Sequence, residues 1–371
     1  MSGGRDRLVD SAGGVMHLTL RGLGRGRLPQ HPARVLMIKP CCIGDVLFAT
    51  PLLAAVSQAW PQARIGWLVG KHSRAALLGN PRLSALLDAG ALGANHYPFA
   101  AMLKMARRLR GKHFAAAFIP DRSPALALLA LIAGIPYRAG LNSRGRGLGL
   151  SAAAAVDDRK TARHEVDIYL DVARAAGLPL PPDPRLEYYP TAAAQAAADA
   201  LLLSLPLERD QPTITIHPGG GVNPGARLIS KRWPVERFAA IAAQLAGRAS
   251  VLVLGSRGED DRQLAAAVQQ GDTRIHNIAG RLDLAATGAL LQRAALHIGN
   301  DTGVSHLAVA CGCRTVGIFG PTSALRYELY GPPSQVRSLY PAGYEDGGGD
   351  TADVAVERVW AAVTEVLSFE F

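Results

Sequence analysis

Short apolar runs alternate with segments of helical spacing along the chain from Arg34 onward. The runs are rich in Val, Leu and Ile and are bounded by Gly or Pro, which predicts buried strands. In the first half they read "RVLMIK", "RIGWLVG" and "FAAAFIP". In the second half they read "TITIHPG", "SVLVLGS", "RIHNIAG", "ALHIGND" and "TVGIFGP". Helical patterns such as "DVLFATPLLAAVSQA" and "VERFAAIAAQLAG" lie between them, so the order predicts βαβ units and a parallel α/β fold.

A proline-rich break, "GLPLPPDPRLEYYP", divides this pattern into two halves. We expect two Rossmann-like domains, 34–180 and 181–345, whose strand ends face each other across a cleft. Residues 1–33 are predicted to be a flexible extension. Residues 350–371 are predicted to form a helix that packs back across the domains.

Composition narrows the class of protein. The 371 residues are 49% hydrophobic and 6% aromatic, which suits two α/β cores. The longest apolar stretch, "ALALLALIAGI", is too short to span a bilayer, and the first 33 residues do not form an ordinary signal peptide. A cytoplasmic location is therefore expected. The four cysteines, Cys41, Cys42, Cys311 and Cys313, are predicted to be reduced thiols, and their spacing does not favour a metal site.

The formal net charge of +10 points to acidic partners such as phosphates, nucleotides or an anionic membrane surface. Basic residues of the first half fall in three groups: Arg107, Arg108, Arg110 and Lys112; Arg138, Arg144 and Arg146; Arg159, Lys160 and Arg163. A solvated face remains the alternative interpretation. Few aromatic residues accompany these charges to stack bases, so nucleic acid is not expected as a partner.

The stretch "KPCCIGDVLFATP" places Asp45 where a predicted strand ends and a helix begins. Open α/β sheets bind ligands at this position. Asp is also a favoured helix N-cap residue, and this alternative remains open on the sequence.

The stretch "HIGNDTGVSHLAVACG" repeats the arrangement in the second half. Backbone amides at the start of its helix make a phosphate site that needs no metal. Gly303 allows close approach, Asp301 and Thr302 offer polar groups, and His306 follows Thr302 at i+4. The alternative is a helix cap formed by Asp301 or Thr302, with a histidine at the surface.

A second phosphate element is the glycine-rich loop in "HPGGGVNPGARLISKRWP", which contains Gly219 and Gly220 and leads to Lys231. The lysine can neutralise a leaving pyrophosphate, or it can be a solvated cation beside a packed helix start. Glu259 and Asp260, which follow "VLVLGSRG", could accept hydrogen bonds from ribose hydroxyls, although acidic residues are also common in the first turn of a helix. Neither GxGxxG nor GxxxxGK[ST] occurs, which disfavours a nicotinamide dehydrogenase and a P-loop enzyme.

Three motifs together, "KPCCIGDVLFATP", "SKRWP" and "GNDTGVSHLAVACGCRTVGIFGPT", resemble glycosyltransferase family 9, the heptosyltransferases of lipopolysaccharide core assembly. The resemblance covers 34–322 and implies the GT-B architecture and inverting transfer from a nucleotide sugar, typically ADP-heptose, to a lipid-linked saccharide. It implies Asp45 as general base and Lys231 as a phosphate ligand, with no obligatory metal or other cofactor. The implied donor site comprises Asp301, Thr302, Gly303, Ser305 and His306.

Two departures from the family pattern bear on the substrates. Cys41 and Cys42 stand where many relatives have small hydroxyl residues, and the loop before Lys231 looks longer than in the best-known heptosyltransferases. A donor other than ADP-heptose therefore remains an alternative, as does a nucleotide-sugar epimerase of the same fold or a non-catalytic nucleotide-binding module. The basic residues Arg138, Arg144, Arg146 and Lys160 are predicted to bind an anionic, lipid-linked acceptor, with peripheral contact at the inner face of the inner membrane.

Overall fold

A computed structural model describes residues 26–94, 96–157, 162–208, 210–223 and 226–367. The chain divides into two compact units. The first comprises the described residues up to Arg74 together with Pro81–Pro184, and the second comprises Ala75–Asn80 and the described residues from Arg185 onward.

The first unit is built on a six-stranded sheet in the order β3-β2-β1-β4-β5-β6, in which all neighbouring strands are parallel. Its strands are β1 (Arg34–Ile38), β2 (Arg64–Val69), β3 (Ala85–Asp88), β4 (Ala116–Ile119), β5 (Tyr137–Ser143) and β6 (Ala152–Val156). Its helices are α1 (Ile43–Phe48), α2 (Thr50–Ala59), α3 (Lys71–Arg74), α4 (Phe99–Arg110), α5 (Pro124–Ile132) and α6 (Glu165–Ala175), with a 3₁₀ turn at Gly90–Ala94.

The second unit repeats this topology, with the order β11-β10-β7-β12-β13-β14 and parallel neighbours throughout. Its strands are β7 (Thr213–His217), β10 (Ser250–Val253), β11 (Ile275–Asn277), β12 (Leu296–Asn300), β13 (Arg314–Ile318) and β14 (Val336–Leu339), and a separate hairpin is formed by β8 (Val222–Asn223) and β9 (Ala226–Arg227). Its helices are α7 (Ala192–Leu203), α8 (Val235–Leu245), α9 (Glu259–Gln269), α10 (Leu284–Leu291), α11 (Gly303–Ala310), α12 (Ala324–Tyr327) and α13 (Val356–Leu367), with 3₁₀ turns at Ala75–Leu77, Ile229–Lys231 and Thr351–Asp353.

The central strands are apolar on both faces because helices cover both sides of each sheet. In β1, every residue after Arg34 is buried, and β12 is buried over its whole length. The strand order reverses between β1 and β4 in the first unit, and between β7 and β12 in the second. Loops at such reversals leave a crevice at the carboxyl edge of the sheet, where α/β folds bind ligands.

The α/β fold class is confirmed, and each strand expected from an apolar run is present. The helix expected over "DVLFATPLLAAVSQA" is two helices, α1 and α2, which meet at Ala49. The C-terminal helix α13 packs into the second unit's core, where Val359 and Val363 contact the cluster around Phe238. The predicted extension 1–33 lies mostly outside the described residues.

Candidate functional site

Asp45 lies at the carboxyl edge of the first sheet, in the first turn of α1. The N-cap residue of this helix is Cys42, and no side chain makes a capping hydrogen bond, so the interpretation of Asp45 as a cap is wrong. Instead, Asp45 Oδ1 accepts a hydrogen bond from the Tyr169 hydroxyl at 2.9 Å. Its side chain is 31% exposed. Among the described residues nothing hydrogen-bonds to Oδ2, which leaves that oxygen available to a substrate.

Lys39, at the end of β1, supplies a buried cation beside this carboxylate. Its Nζ lies 3.8 Å from Asp45 Oδ1 and donates to Asp121 Oδ2 at 2.9 Å. Burial would lower the pKa of Lys39, but the charges of Asp121 and Asp45 outweigh burial and raise it. The ammonium therefore stays charged at any physiological pH. Because β1 and β4 are neighbours, the loop that carries Asp121 follows the adjacent strand.

Tyr169 reaches Asp45 from helix α6 and is fully buried. Burial, together with the charges of Asp45 and Glu165, raises the pKa of Tyr169 well above its usual value. The phenol therefore remains protonated and acts as a permanent hydrogen-bond donor to Asp45. One turn before it, the buried Glu165 accepts two hydrogen bonds from the guanidinium of Arg122, at 2.8 and 3.0 Å. This bidentate pair ties the start of α6 to the loop after β4.

The four basic residues predicted to bind an acceptor lie in different environments. Arg138 is 4% exposed, and its guanidinium donates to the carbonyls of Gly149, Ile135 and Pro136, so it braces a loop. Arg144 and Arg146 are half-buried in the loop after β5, at the carboxyl edge of the sheet. Lys160 lies outside the described residues.

The cysteines differ from the expectation of four free thiols. Cys41 and Cys42 form a disulfide between adjacent residues across a cis peptide bond, immediately before α1. Cys311 and Cys313 are free, as expected. Adjacent cysteines are not among the spacings that predict a disulfide framework, so this pair could not be predicted from spacing.

Asp301 is the centre of the candidate site in the second unit. Its Oδ2 accepts hydrogen bonds from Lys231 Nζ at 2.7 Å and from the Thr322 hydroxyl at 2.6 Å. His306 Nε2 lies 3.4 Å from Oδ1. Burial alone would raise the pKa of Asp301, but the hydrogen bond with His306 and the charge of Lys231 hold it well below its usual range. The carboxylate is therefore ionised, and it fixes the position of the lysine.

The start of helix α11 carries Thr302 and His306, whose alternative interpretations the structure tests. Thr302 occupies the N-cap position but its side chain makes no capping bond, and its Oγ1 is buried without a hydrogen-bond partner among the described residues. Buried polar atoms are normally hydrogen-bonded, so this hydroxyl is a candidate ligand contact. His306 is 3% exposed, so the interpretation as a surface histidine is wrong.

The glycine loop packs closely against this helix start. A Cβ atom on Gly220 would lie 2.1 Å from Thr302 Cγ2, and Gly220 has a φ of +111°. A Cβ atom on Gly219 would lie 2.4 Å from Asp261 Oδ1. Gly220 therefore requires glycine, because its positive φ disfavours any other residue and a side chain would push the loop away from the start of α11. At Gly219 a side chain would instead displace the Asp261 carboxylate of α9.

Asn300, at the end of β12, holds this loop in place and was missed by the sequence analysis. It is fully buried. Its Oδ1 accepts from the Trp233 backbone N–H at 2.9 Å, and its Nδ2 donates to the carbonyls of Pro218 and Gly219 at 3.0 Å each. One side chain thus connects the glycine loop with the start of α8.

Ser305 and Glu259 lie apart from the Asp301 cluster. Ser305 is fully buried, and its hydroxyl donates to the Asn300 carbonyl at 2.7 Å, which makes it a support of the β12–α11 turn. Glu259 is exposed at the start of α9, where it accepts from Arg262 and Gln263 of the same helix. The neighbouring Asp260 accepts a hydrogen bond from Arg232. Because Arg232 Nε also donates to the Gly220 carbonyl at 2.9 Å, Asp260 and not Glu259 helps to hold the glycine loop.

His217, at the end of β7, is a further buried group at this edge of the sheet. It is 6% exposed, and its Nδ1 has no hydrogen-bond partner in the described parts of the chain. Burial lowers the pKa of His217, so the ring is neutral near pH 7. The sequence offered only its position, directly before the glycine loop, as a signal.

No group of three or more His, Cys, Asp or Glu residues that could hold a metal ion occurs among the described residues. Within the same residues, no helix has both the length and the apolar content needed to cross a membrane.

The fold and the family together define the class of this protein. Two Rossmann-like units with parallel sheets of the same strand order give the chain the GT-B fold, which its structural neighbours share. The model of glycosyltransferase family 9 (heptosyltransferase) matches residues 102–343. The chain belongs to this family and is a glycosyltransferase.

Comparisons with individual proteins agree with this assignment. The chain is 25% identical to lipopolysaccharide heptosyltransferase 2 of Salmonella typhimurium over 91% of its own length and 99% of the relative. A family 9 glycosyltransferase from Veillonella parvula superposes with a TM-score of 0.76 at 20% identity, covering 92% of this chain and 99% of that one. ADP-heptose lps heptosyltransferase II of E. coli superposes with a TM-score of 0.72 at 22% identity, covering 90% and 98%.

One structural neighbour is relevant to the expectation that no metal ion is required. The dodecameric iron-containing heptosyltransferase TibC superposes with a TM-score of 0.50 at 13% identity, covering 92% of this chain and 77% of that one. A metal-containing protein therefore shares this fold, so independence from metal remains a prediction for the present chain.

Proposed function

We propose that this chain transfers a heptosyl group from ADP-heptose to a lipopolysaccharide-core or related acceptor, with inversion at the anomeric carbon. Family membership supplies the reaction class, and the names of the relatives support the sugar and the acceptor. The observation that carries the proposal is the Asp45 carboxylate, partly exposed at a strand end, with one oxygen held by Tyr169 and the other free of hydrogen bonds to the described residues.

Asp45 is the general base of the proposed reaction. An acceptor hydroxyl gives its proton to Oδ2 while its oxygen attacks the anomeric carbon, and the bond from that carbon to the phosphate oxygen breaks, releasing ADP. General-base assistance contributes on the order of 10²–10⁴ in rate. Tyr169 and Lys39 are positioning residues, because they hold Oδ1 and do not themselves take the proton.

The second unit would stabilise the negative charge that grows on the leaving diphosphate. The amides at the start of α11, the Thr302 hydroxyl and the Lys231 ammonium are the proposed donors. An ammonium has three N–H donors, so Lys231 can bond Asp301 and still reach a phosphate oxygen. Gly219 and Gly220 allow the diphosphate to approach the backbone, and Gly303 begins the helix. This arrangement stabilises charge without a metal ion.

Other predicted contacts keep or change their roles in the proposal. Glu259 remains a candidate for ribose hydroxyls because it is exposed at the start of the helix after β10. Arg144 and Arg146 remain candidates for acceptor phosphates because they lie in the loop after β5. Arg138 is left out, because its guanidinium is committed to backbone carbonyls. We place the reaction at the cytoplasmic face of the inner membrane, where the lipid-linked acceptor would be presented.

Matched substitutions test the two sites separately. Asp45→Asn should lower transfer by at least about 100-fold and leave ADP affinity within about threefold, whereas Lys231→Ala should weaken ADP binding by about tenfold or more. Asp171→Asn, in helix α6 and paired with Arg163 and Arg174, is the control for the first. Lys112→Ala is the control for the second. Undiminished transfer by Asp45→Asn would refute the assignment of the base.

A panel of nucleotide sugars identifies the donor. Thermal stabilisation and transfer should be strongest with ADP-heptose among ADP-heptose, ADP-glucose and UDP and GDP sugars. A preference for another donor would be compatible with the proposed mechanism but would change the sugar that is transferred. Conversion of a nucleotide sugar without any acceptor would support an epimerase. Activity should survive chelation, and a loss that added metal reverses would contradict metal-free catalysis.

A further inference from the structure

The outer face of helix α4, together with the turn that follows it, forms a basic surface that the transfer reaction does not use. From Ala89 to Pro120 the chain contains no acidic residue. The same stretch contains five basic residues: Lys104, Arg107, Arg108, Arg110 and Lys112. We call these five residues and Phe99 the α4 face.

Packing fixes the direction in which these charges point. One side of α4 is buried in the first unit's core through Met102, Met105, Ala106 and Leu109. The remaining side carries Lys104, Arg107, Arg108 and Arg110, which are all exposed. The apolar and basic sides of one helix therefore separate cleanly, and the basic side is turned away from the core.

These charges are not neutralised by the protein. None of the five cations forms an ion pair with an acid in the described residues. Arg108 and Arg110 donate only to the backbone carbonyls of Asp88 and Ile132, which fix the side chains and leave their charge in place. The α4 face therefore presents a positive field to whatever lies outside it.

Phe99 adds an apolar element at the edge of this face. It is the first residue of the helix, and 66% of it is exposed. The half-buried Leu103 and the exposed Arg107 follow it at i+4 and i+8, so the three residues form one row along the helix. A soluble anion would be bound by the cations alone, whereas a lipid bilayer offers anionic headgroups and an apolar phase side by side.

We propose that the α4 face docks the protein on an anionic lipid bilayer. The cations contact headgroup phosphates, and the Phe99 ring enters the boundary between headgroups and acyl chains. A soluble phosphorylated saccharide offers phosphate groups but no apolar phase for Phe99. The exposed Phe99 ring therefore favours a bilayer as the partner. The docking involves no sugar or nucleotide, so it stands or falls independently of the proposed transfer.

Co-sedimentation of the full-length chain with vesicles tests the docking, without any nucleotide sugar present. We expect binding to vesicles that contain phosphatidylglycerol, little binding to pure phosphatidylcholine, and weakening as salt is raised. Each basic residue near an anionic surface contributes on the order of fivefold to partitioning. The double variant Lys104→Glu/Arg107→Glu should therefore bind at least about 20-fold more weakly.

Two matched controls distinguish binding by the α4 face from effects of the protein's overall charge and hydrophobicity. Arg248→Glu/Arg281→Glu makes the same charge change at exposed arginines of the second unit and should bind within about threefold of the parent protein. Phe99→Ala should weaken binding about tenfold, while Leu203→Ala, at a residue that is 87% exposed, should not. If the Glu variant is poorly folded, Lys104→Gln/Arg107→Gln should still lose at least fivefold, on the order expected for two cations.

Three results would overturn the proposal. Equal binding to neutral and anionic vesicles would show that charge does not drive the docking. Equal weakening by the two charge-reversal pairs would show that the docking is not specific to the α4 face. Displacement of the protein from vesicles by millimolar inorganic pyrophosphate, with no effect of Phe99→Ala, would indicate a site for a soluble phosphate instead.

Discussion

Asn300→Ala should be among the most destabilising single substitutions in the second unit. The side chain is fully buried and makes three hydrogen bonds of 2.9–3.0 Å, to the backbone of Trp233, Pro218 and Gly219. Truncation removes all three bonds and leaves one N–H and two carbonyls without partners in an interior that water does not reach. At about 1 kcal/mol for each bond, with a further penalty for the stranded groups, the loss is about 3–5 kcal/mol.

Urea denaturation followed by tryptophan fluorescence measures this loss, because Trp233 is one of the three partners. Asn277→Ala is the matched control, since that side chain accepts one local hydrogen bond, from the Ala279 N–H. It should cost about 1 kcal/mol. ADP affinity should also fall in Asn300→Ala, because the glycine loop loses its anchor. A loss for Asn300→Ala no larger than that for Asn277→Ala would refute the reasoning.

Two further predictions concern the partners of the two acids. Tyr169→Phe removes a hydrogen bond to a carboxylate, worth about 1.5–3 kcal/mol, so kcat should fall about tenfold or more while the acceptor KM changes little. The control is Tyr137→Phe, because the Tyr137 hydroxyl bonds no described residue. An unchanged kcat for Tyr169→Phe would show that Tyr169 does not position the base. The folded-state pKa of Asp301 lies below its unfolded value of about 3.8, so its ionised form stabilises the protein above that pH, and this stability is lost as pH falls. The difference in unfolding free energy between the parent protein and Asp301→Asn should shrink from pH 7 to pH 3, and a constant difference would contradict the linkage.

The strands that the sequence predicted are those whose runs are rich in Val, Leu and Ile and bounded by Gly or Pro. In the two six-stranded sheets β3, β5, β6 and β14 were missed, and the short hairpin strands β8 and β9 were missed as well. The run "AAAAV" of β6 has alanine's helical preference, and β5 contains Arg, Gly and Asn within "YRAGLNS". Both become strands because a neighbouring strand offers them a ladder, which local sequence does not reveal.

The residues of the candidate sites also divide into those that the sequence could predict and those that it could not. Asp45, Lys231 and Asp301 could be singled out as candidates, because each lies between the end of a strand and the helix that follows it. Tyr169 and Asn300 could not, since their roles depend on contacts across 124 and 67 residues of sequence. The cap interpretation of Asp45 failed for a related reason: the N-cap residue is Cys42, the helix begins at Ile43, and the acid turns towards α6.

The parallel strand order has a consequence for how the surroundings of Asp45, the proposed general base, are assembled. No pair of neighbouring strands in the two six-stranded sheets can form as a local hairpin, so each pairing must first close a long loop. Folding dominated by such non-local pairings is slow. Asp45 and Lys39 leave the ribosome long before Tyr169, so a nascent chain holds the acid without its hydrogen-bond donor. Competence for transfer should therefore arise late in synthesis, when α6 docks, and pulse-labelled hydrogen exchange should show α6 protected after β1 and β4.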